Sequence, residues 1–189
     1  MPGELLNIHA ILPYSRVNGP GLREVVFFQG CASKCPGCFN PETHSFEKRE
    51  LYTVKEILEK RAGLVEGITI SGGEPFMQKE GLFELLKAAK DLCLTTVVYT
   101  GFIFEELKED RLCARILEFT DVLIDGAYEE TKKEKTLLAR GSENQRLFFL
   151  TKRYSEADFH MPGKVEVIIG KDGSVTETGF SRVIFGVKA

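Results

Sequence analysis

Residues 25–38 read VVFFQGCASKCPGC and join an apolar segment to three closely spaced cysteines. The run Val25–Gln29 is typical of a buried strand. Cys31, Cys35 and Cys38 follow on a loop, which the Pro-Gly pair before the last cysteine keeps from becoming helical. Alpha/beta folds place their chemistry on loops that leave the ends of strands. The stretch therefore predicts a thiolate site at the end of a buried strand.

The number of clustered thiolates limits what this loop can bind. Thiolates select iron–sulfur clusters, zinc or copper(I). A four-iron cluster usually has four cysteine ligands, so three would leave one iron open to another group. A disulfide framework is not expected, because the five cysteines are an odd number in a long chain without a signal-peptide pattern. Structural zinc needs a fourth ligand, and His44 is the nearby candidate, so a Cys3His zinc-binding interaction module stays open.

Length and composition set the class of protein. The chain has 189 residues, 43% hydrophobic residues and a net charge of −3, which fits a globular protein with one substantial core. There is no basic patch that would indicate nucleic-acid binding. No apolar run is long enough to cross a membrane. We therefore expect a cytoplasmic protein with reduced thiols and with neither a nucleic-acid nor a membrane partner.

Strand and helix patterns alternate from the N-terminus to about residue 126. The helix at 53–62 begins with a capping box formed by Thr53 and Glu56, and the helical region 104–119 is broken near Asp110. Residues 13–22 are expected to be loop. Cys93 and Cys113 are expected to be buried small hydrophobes, and His9 a paired structural histidine. The other predicted elements are strands at 5–12, 23–29, 67–71, 94–99 and 121–126 and a helix at 79–91.

This alternation predicts an α/β fold with a parallel sheet and helical crossovers. A complete eightfold barrel needs about 250 residues, so an open, partial barrel is the better interpretation. Near the end of the chain, Asp172-Gly173 between two alternating segments indicates a β-hairpin. We expect a core domain at residues 1–152 and a C-terminal extension with this hairpin at 153–189, packed on the same domain.

Two strings in this chain resemble a known family. The pattern Cys-x-x-x-Cys-x-x-Cys is the cluster motif of the radical S-adenosylmethionine (radical SAM) superfamily. Val17–Gly21 and Gly30–Asn40, in that order, resemble the activating proteins of anaerobic ribonucleotide reductases. Arg140–Gln145 resembles a further string of these activases, with no role assigned. The resemblance implies a partial radical SAM barrel.

The resemblance also implies roles for individual residues. Cys31, Cys35 and Cys38 would hold a [4Fe-4S] cluster whose open iron takes the amino and carboxylate groups of S-adenosylmethionine. Gly72-Gly73-Glu74 resembles the motif that lines the methionine ammonium group. Glycines there would allow backbone carbonyls near the cation, and the carboxylate would complement its charge.

Four more residues are expected to contact the cofactor by the same resemblance. A role in the core is an equally good interpretation for Phe39, and helix capping is an equally good interpretation for Asp125. These residues are Phe39, Asn40, Thr100 and Asp125.

The function implied is reductive cleavage of S-adenosylmethionine to a 5′-deoxyadenosyl radical. The expected substrate is a glycine of a partner glycyl-radical enzyme, such as an anaerobic ribonucleotide reductase. The expected electron donor is a flavodoxin or ferredoxin. A radical SAM enzyme that modifies a peptide or small molecule is the alternative.

Overall fold

Strands and helices alternate through the middle of the chain, and further strands lie on both sides of this region. The computed structural model describes residues 4–61, 63–135, 138–160, 165–169 and 175–179. The strands are β1 (Leu6–Ser15), β2 (Arg23–Phe28), β3 (Glu50–Tyr52), β4 (Gly67–Gly72), β5 (Thr95–Tyr99), β6 (Val122–Asp125), β7 (Arg146–Phe149), β8 (Val165–Ile169) and β9 (Val175–Gly179). The α-helices are α1 (Val54–Glu59), α2 (Lys79–Asp91), α3 (Phe104–Glu109) and α4 (Arg111–Glu118).

Seven of the strands form one sheet in the order β3-β1-β2-β4-β5-β6-β7. The central strands β2, β4, β5 and β6 are parallel, whereas β1, β3 and β7 pair antiparallel at the two sides. Parallel neighbours need crossover connections, which α1, α2 and the α3–α4 pair supply. The expected mixed α/β fold with a mostly parallel sheet is confirmed. Strands β8 and β9 form a separate antiparallel pair, and the predicted Asp172-Gly173 turn lies outside the described residues.

The main core lies between the helices and one face of the sheet. Leu82, Leu85 and Leu86 form the inner stripe of α2 and are fully buried, at the spacing of one helical face. They belong to one apolar cluster with Phe28 of β2 and Ile70 of β4. Burial of each such side chain contributes about 1.5–3 kcal/mol. This core holds the strands whose ends carry the site.

The opposite face of the sheet is filled at its amino-terminal end. There the buried guanidinium of Arg23 donates to Thr69 Oγ1 at 2.8 Å and to the hydroxyl of Tyr154 at 3.2 Å. A smaller apolar cluster containing Phe159 covers part of the same face. The remaining space on this face is a cavity towards the carboxyl ends of the strands, lined in part by Phe27 and Tyr99.

Local sequence signals predicted several helix boundaries correctly. Helix α2 has the predicted bounds. At the start of α1, Glu56 N–H donates to Thr53 Oγ1 at 3.2 Å, and Thr53 N–H donates to the Glu56 carboxylate at 2.8 Å, which is the expected capping box. Asp110 separates α3 from α4 because its carboxylate accepts hydrogen bonds from the backbone N–H groups of Leu112 and Cys113, both at 2.9 Å.

Sequence patterns missed three features of the sheet. Residues 13–22 were expected to be loop, but β1 continues to Ser15. Pro13 is tolerated there because the pairing with β2 shifts register between Leu12 and Ser15, and proline is compatible with such irregularities. The short strands β3 and β7 were not predicted, since neither carries an alternation long enough to stand out.

The two cysteines outside the loop have different surroundings. Cys113 on α4 is buried, as expected. The same prediction for Cys93 was wrong, because this residue is exposed in the turn between α2 and β5, with φ of 58°. The turn directs the next residue, Leu94, into the core instead.

Residues beyond the predicted boundary at 152–153 pack on the sheet. Phe159 is fully buried, and the hydroxyl of Tyr154 donates to Glu66 Oε1 at 2.5 Å. The division into 1–152 and 153–189 itself stays a prediction. Over the described ranges, no helix combines the length and the apolar character needed to span a bilayer.

Candidate functional site

A cavity of about 540 Å³ lies where the carboxyl ends of the parallel strands meet. Its volume is within the range of small-molecule and cofactor sites. Cys31 reaches it from the loop after β2, Glu74 from the turn after β4, and Thr100 and Gly126 from the ends of β5 and β6. The sheet thus brings together segments far apart in sequence. The lining also includes His9, Phe39, Asn40, His44, Tyr128 and Gln145.

The cysteine loop, residues 30–40, is anchored by backbone hydrogen bonds. Gly30 N–H donates to Thr43 O at 2.8 Å, and Cys31 N–H donates to His44 O at 3.3 Å, which ties the loop to the short 3₁₀ helix Pro41–His44. Glu74 N–H donates to Gly30 O at 2.8 Å. The loop is therefore held against the turn after β4, as expected of neighbouring parallel strands.

The three loop thiols are suited to an iron–sulfur cluster. Cys31, Cys35 and Cys38 are all partly exposed and line the cavity. Burial raises the pKa of the Cys38 thiol; the Asn40 N–H opposes the rise, and the nearby Cys35 and Cys31 thiols add to it. Asn40 N–H donates to Cys38 Sγ at 3.4 Å, and hydrogen bonds to sulfur are among the features that set cluster potentials.

Histidines near the loop do not complete a compact ligand group with the thiols. His44 lines the cavity. His9 is paired as expected, with its Nδ1 3.0 Å from Gln29 Oε1. Across the described part of the chain, no group of three or more His, Cys, Asp and Glu side chains is arranged to hold a single metal ion.

Gly72 and Gly73 are required by the close approach of two backbone segments. A Cβ on Gly72 would lie 2.4 Å from the backbone nitrogen of Phe28, and Gly72 has φ of +100°. A Cβ on Gly73 would lie 2.4 Å from Gly30 O. The glycine pair therefore allows the turn after β4 to touch the cysteine loop.

Glu74 joins the ends of β4 and β5. Its carboxylate accepts hydrogen bonds from Gly101 N–H at 2.7 Å, Thr100 Oγ1 at 2.8 Å and Phe76 N–H at 3.0 Å. Only 3% of the residue is exposed, and this burial raises its pKa to about 7, against the effect of the three donors. A carboxylate has about four acceptor sites, so a further donor in the cavity can still bind.

Two other predicted residues, Thr100 and Asp125, have different positions relative to the cavity. Thr100 lines it and supports Glu74. Asp125 is fully buried and is not part of the lining formed by described residues. Its carboxylate accepts from Phe104 N–H at 2.7 Å at the start of α3, and from Arg146 Nε at 3.0 Å. This geometry is that of helix capping, which was the alternative interpretation.

An aromatic pair flanks the cysteine loop. Phe39 and Tyr128 pack edge to face with their ring centroids 5.1 Å apart, and both line the cavity together with Asn40. A Cβ on Gly141 would lie 3.0 Å from the Tyr128 ring and 3.2 Å from the Phe39 ring. Tyr128 was not predicted from the sequence, because no local pattern marks it.

The Arg140–Gln145 segment folds as a tightly bonded turn beside this pair. Gln145 Oε1 accepts hydrogen bonds from the N–H groups of Gly141 at 2.8 Å and Ser142 at 3.1 Å, while its Nε2 donates to Gly126 O at 2.9 Å. The turn therefore connects the end of β6 to the wall of the cavity. This assigns a structural role to a string whose role the sequence left open.

Comparisons with known proteins show the family to which the chain belongs. The family described as "4Fe-4S single cluster domain" matches residues 17–148. The anaerobic ribonucleoside-triphosphate reductase-activating protein of Enterobacteria phage T4 is 36% identical over 155 residues, which cover 76% of this chain and 94% of the relative. The protein of the same name from Pasteurella multocida is 34% identical over 157 residues, covering 77% and 99%.

A further relative has another named target. The pyruvate formate-lyase-activating enzyme of Clostridium pasteurianum is 35% identical over 145 residues, which cover 71% of this chain and 58% of that enzyme. The match to an iron–sulfur domain favours a cluster on the three loop cysteines over the Cys3His zinc module. The chain therefore belongs to the 4Fe-4S single cluster domain family, as a radical SAM enzyme of the type that activates glycyl-radical enzymes.

Proposed function

We propose that this protein cleaves S-adenosylmethionine reductively and uses the resulting radical to generate a glycyl radical on a partner enzyme. The observation that carries the proposal is the contact between the cysteine loop and the Gly72–Glu74 turn at one cavity, seen in the 2.8 Å bond from Glu74 N–H to Gly30 O. Bound together, the reduced [4Fe-4S] cluster and S-adenosylmethionine supply methionine and a 5′-deoxyadenosyl radical, which abstracts a hydrogen atom.

The chain's own residues hold and orient these groups. Cys31, Cys35 and Cys38 would ligate three irons of the cluster, which leaves the fourth for the amino and carboxylate groups of the cofactor. Glu74 and the backbone carbonyls of the two preceding glycines would accept hydrogen bonds from the methionine amino group, and the burial of Glu74 would strengthen these bonds.

The remaining lining residues would orient the rest of the cofactor. We propose that Phe39 and Asn40 contact its nucleoside part and that Thr100 fixes the Glu74 carboxylate. Asp125 would contribute indirectly, by fixing the start of α3 beside the Gly101–Phe104 turn. The open sheet, as a partial barrel, would leave room for a segment of a second protein.

The names of the relatives support the class of partner. They activate an anaerobic ribonucleoside-triphosphate reductase or pyruvate formate-lyase, and we propose an enzyme of this class as the substrate. A flavodoxin or ferredoxin would supply the electron through the partly exposed cysteine loop. Reduced thiols and an oxygen-labile cluster fit a cytoplasmic location.

The test uses the protein with its cluster reconstituted under anaerobic conditions. The reduced protein is mixed with S-adenosylmethionine and the anaerobic ribonucleoside-triphosphate reductase from the same organism. We expect one 5′-deoxyadenosine for each radical formed and a glycyl doublet in the EPR spectrum, which disappears when the target glycine of the partner is changed to alanine.

A different result would identify another substrate. Formation of 5′-deoxyadenosine without a doublet on any glycyl-radical enzyme of that organism would contradict the proposal and favour a peptide or small molecule.

A further inference from the structure

A hairpin outside the family match lines the same cavity as the cysteines. The match ends at residue 148, whereas the paired strands β8 and β9 lie at Val165–Ile169 and Val175–Gly179. Four residues of β9 nevertheless belong to the cavity wall, namely Val175, Glu177, Thr178 and Gly179. This chain therefore adds a wall that the matched domain does not provide.

The hairpin is docked on the loop between β1 and β2. Asn18 Nδ2 donates to Thr178 Oγ1 at 2.9 Å, and Arg16 N–H donates to a carboxylate oxygen of Glu166 at 2.8 Å. Asn18 is itself buried and fixed, because its carbonyl accepts a hydrogen bond from Thr69 Oγ1 at 2.7 Å. These bonds hold β9 at a defined place beside the sheet.

This place is distant from the cysteines. Ile8 pairs with Phe28 at the end of the sheet that carries the cysteine loop, whereas Ser15 pairs with Arg23 at the other end. Asn18 contacts Thr69, which lies three residues before Gly72, or about 10 Å along the strand. A molecule bound at the cluster therefore does not fill the β9 side of the cavity, and a second reactant can bind there.

The lining of this region combines polar and apolar residues. Val175, Glu177, Thr178 and Gly179 line it from β9, and Leu12 and Phe27 line it from β1 and β2. Hydrogen-bonding groups beside apolar side chains suit an extended polypeptide, whose N–H groups can donate to the former and whose side chains can contact the latter.

We propose that β9 is a substrate-contacting wall that selects the polypeptide segment carrying the target glycine. The inference rests on the proposed function and adds which residues of this chain recognise the partner. Glu177 acts on the partner and not on S-adenosylmethionine, and Thr178 holds β9 in place through Asn18.

The test compares Glu177→Ala with the wild-type chain and leaves Thr178, which holds β9 in place through Asn18, unchanged. The partner probe is the anaerobic ribonucleoside-triphosphate reductase, and the glycyl doublet is measured against partner concentration. Loss of the Glu177 carboxylate predicts a half-saturating partner concentration roughly tenfold higher. The KM for S-adenosylmethionine and the formation of 5′-deoxyadenosine without partner are expected to stay unchanged.

A matched control is Ile169→Thr on β8, whose side chain is 73% exposed and is not among the cavity-lining residues described. It should leave the half-saturating concentration unchanged. In hydrogen exchange, amides of residues 175–179 should become slower when the partner is added.

The outcomes separate the two proposals. If the wild-type chain gives the doublet, Glu177→Ala has the same half-saturating partner concentration, and the exchange of residues 175–179 does not change, the role of β9 alone is overturned. Absence of a doublet with the wild-type chain on every glycyl-radical enzyme tried overturns the proposed function, and the role of β9 with it.

Discussion

Replacement of Glu24 by glutamine should make the protein more stable at high pH. Glu24 lies on β2, is fully buried, and neither carboxylate oxygen has a hydrogen-bond partner among the described residues. Burial raises its pKa from 4.5 to about 7, although the charge of Arg61 opposes this. The ionised form is therefore unfavourable in the folded protein.

The sign and size of the effect follow from linkage. Because the folded state keeps this proton up to about pH 7 while the unfolded state releases it near 4.5, wild-type stability falls as pH rises through this window and stays low above it. Each pKa unit corresponds to about 1.4 kcal/mol, so the full loss is about 3 kcal/mol. Glutamine does not ionise, and Glu24→Gln should avoid this loss.

The measurement is urea unfolding of the cluster-free, reduced protein between pH 5 and pH 8, followed by circular dichroism. The free energy of unfolding of Glu24→Gln relative to the wild type should rise by about 2.5 kcal/mol between pH 5 and pH 8. Glu84→Gln, at an exposed position of α2, is the control; it keeps Glu24, so its free energy of unfolding should follow that of the wild type across the pH range. A difference between Glu24→Gln and wild type that does not change with pH would refute the reasoning.

Other substitutions test the site. Serine in place of any of the three loop cysteines should abolish iron binding and the brown colour, while Cys113→Ser and His44→Ala should keep the wild-type iron content. Glu74→Ala should retain iron but bind S-adenosylmethionine roughly tenfold to a hundredfold more weakly in calorimetric titration, because the hydrogen bond from the methionine amino group to the carboxylate is lost. Unchanged affinity would mean that Glu74 only joins the ends of β4 and β5. Gly72→Ala should destabilise the fold by about 3 kcal/mol or more in urea unfolding, since its Cβ would meet the β2 backbone at 2.4 Å. Gly63→Ala, also at positive φ but with no described residue within 4 Å of the added Cβ, should cost clearly less stability.

Much of the architecture could be predicted because it depends on neighbouring residues. The bounds of α2 follow from its apolar period, the start of α1 from the Thr53–Glu56 capping box, and the break between α3 and α4 from Asp110. The spacing of the three loop cysteines likewise indicated the iron–sulfur family, which the match to residues 17–148 confirms. These signals act within a few residues and need no knowledge of the fold.

The tertiary structure alone decided what distant segments do together. Strand β7 exists because β6 offers it a pairing edge, and Cys93 is exposed because the turn after α2 directs Leu94 into the core. The Glu74 carboxylate accepts hydrogen bonds from Thr100 and Gly101, which lie 26 and 27 positions further along the chain. The β9 wall depends on a hydrogen bond between Asn18 and Thr178, 160 residues apart. Local patterns cannot specify such contacts, because their free energy arises only when the packed sheet brings the partners within bonding distance.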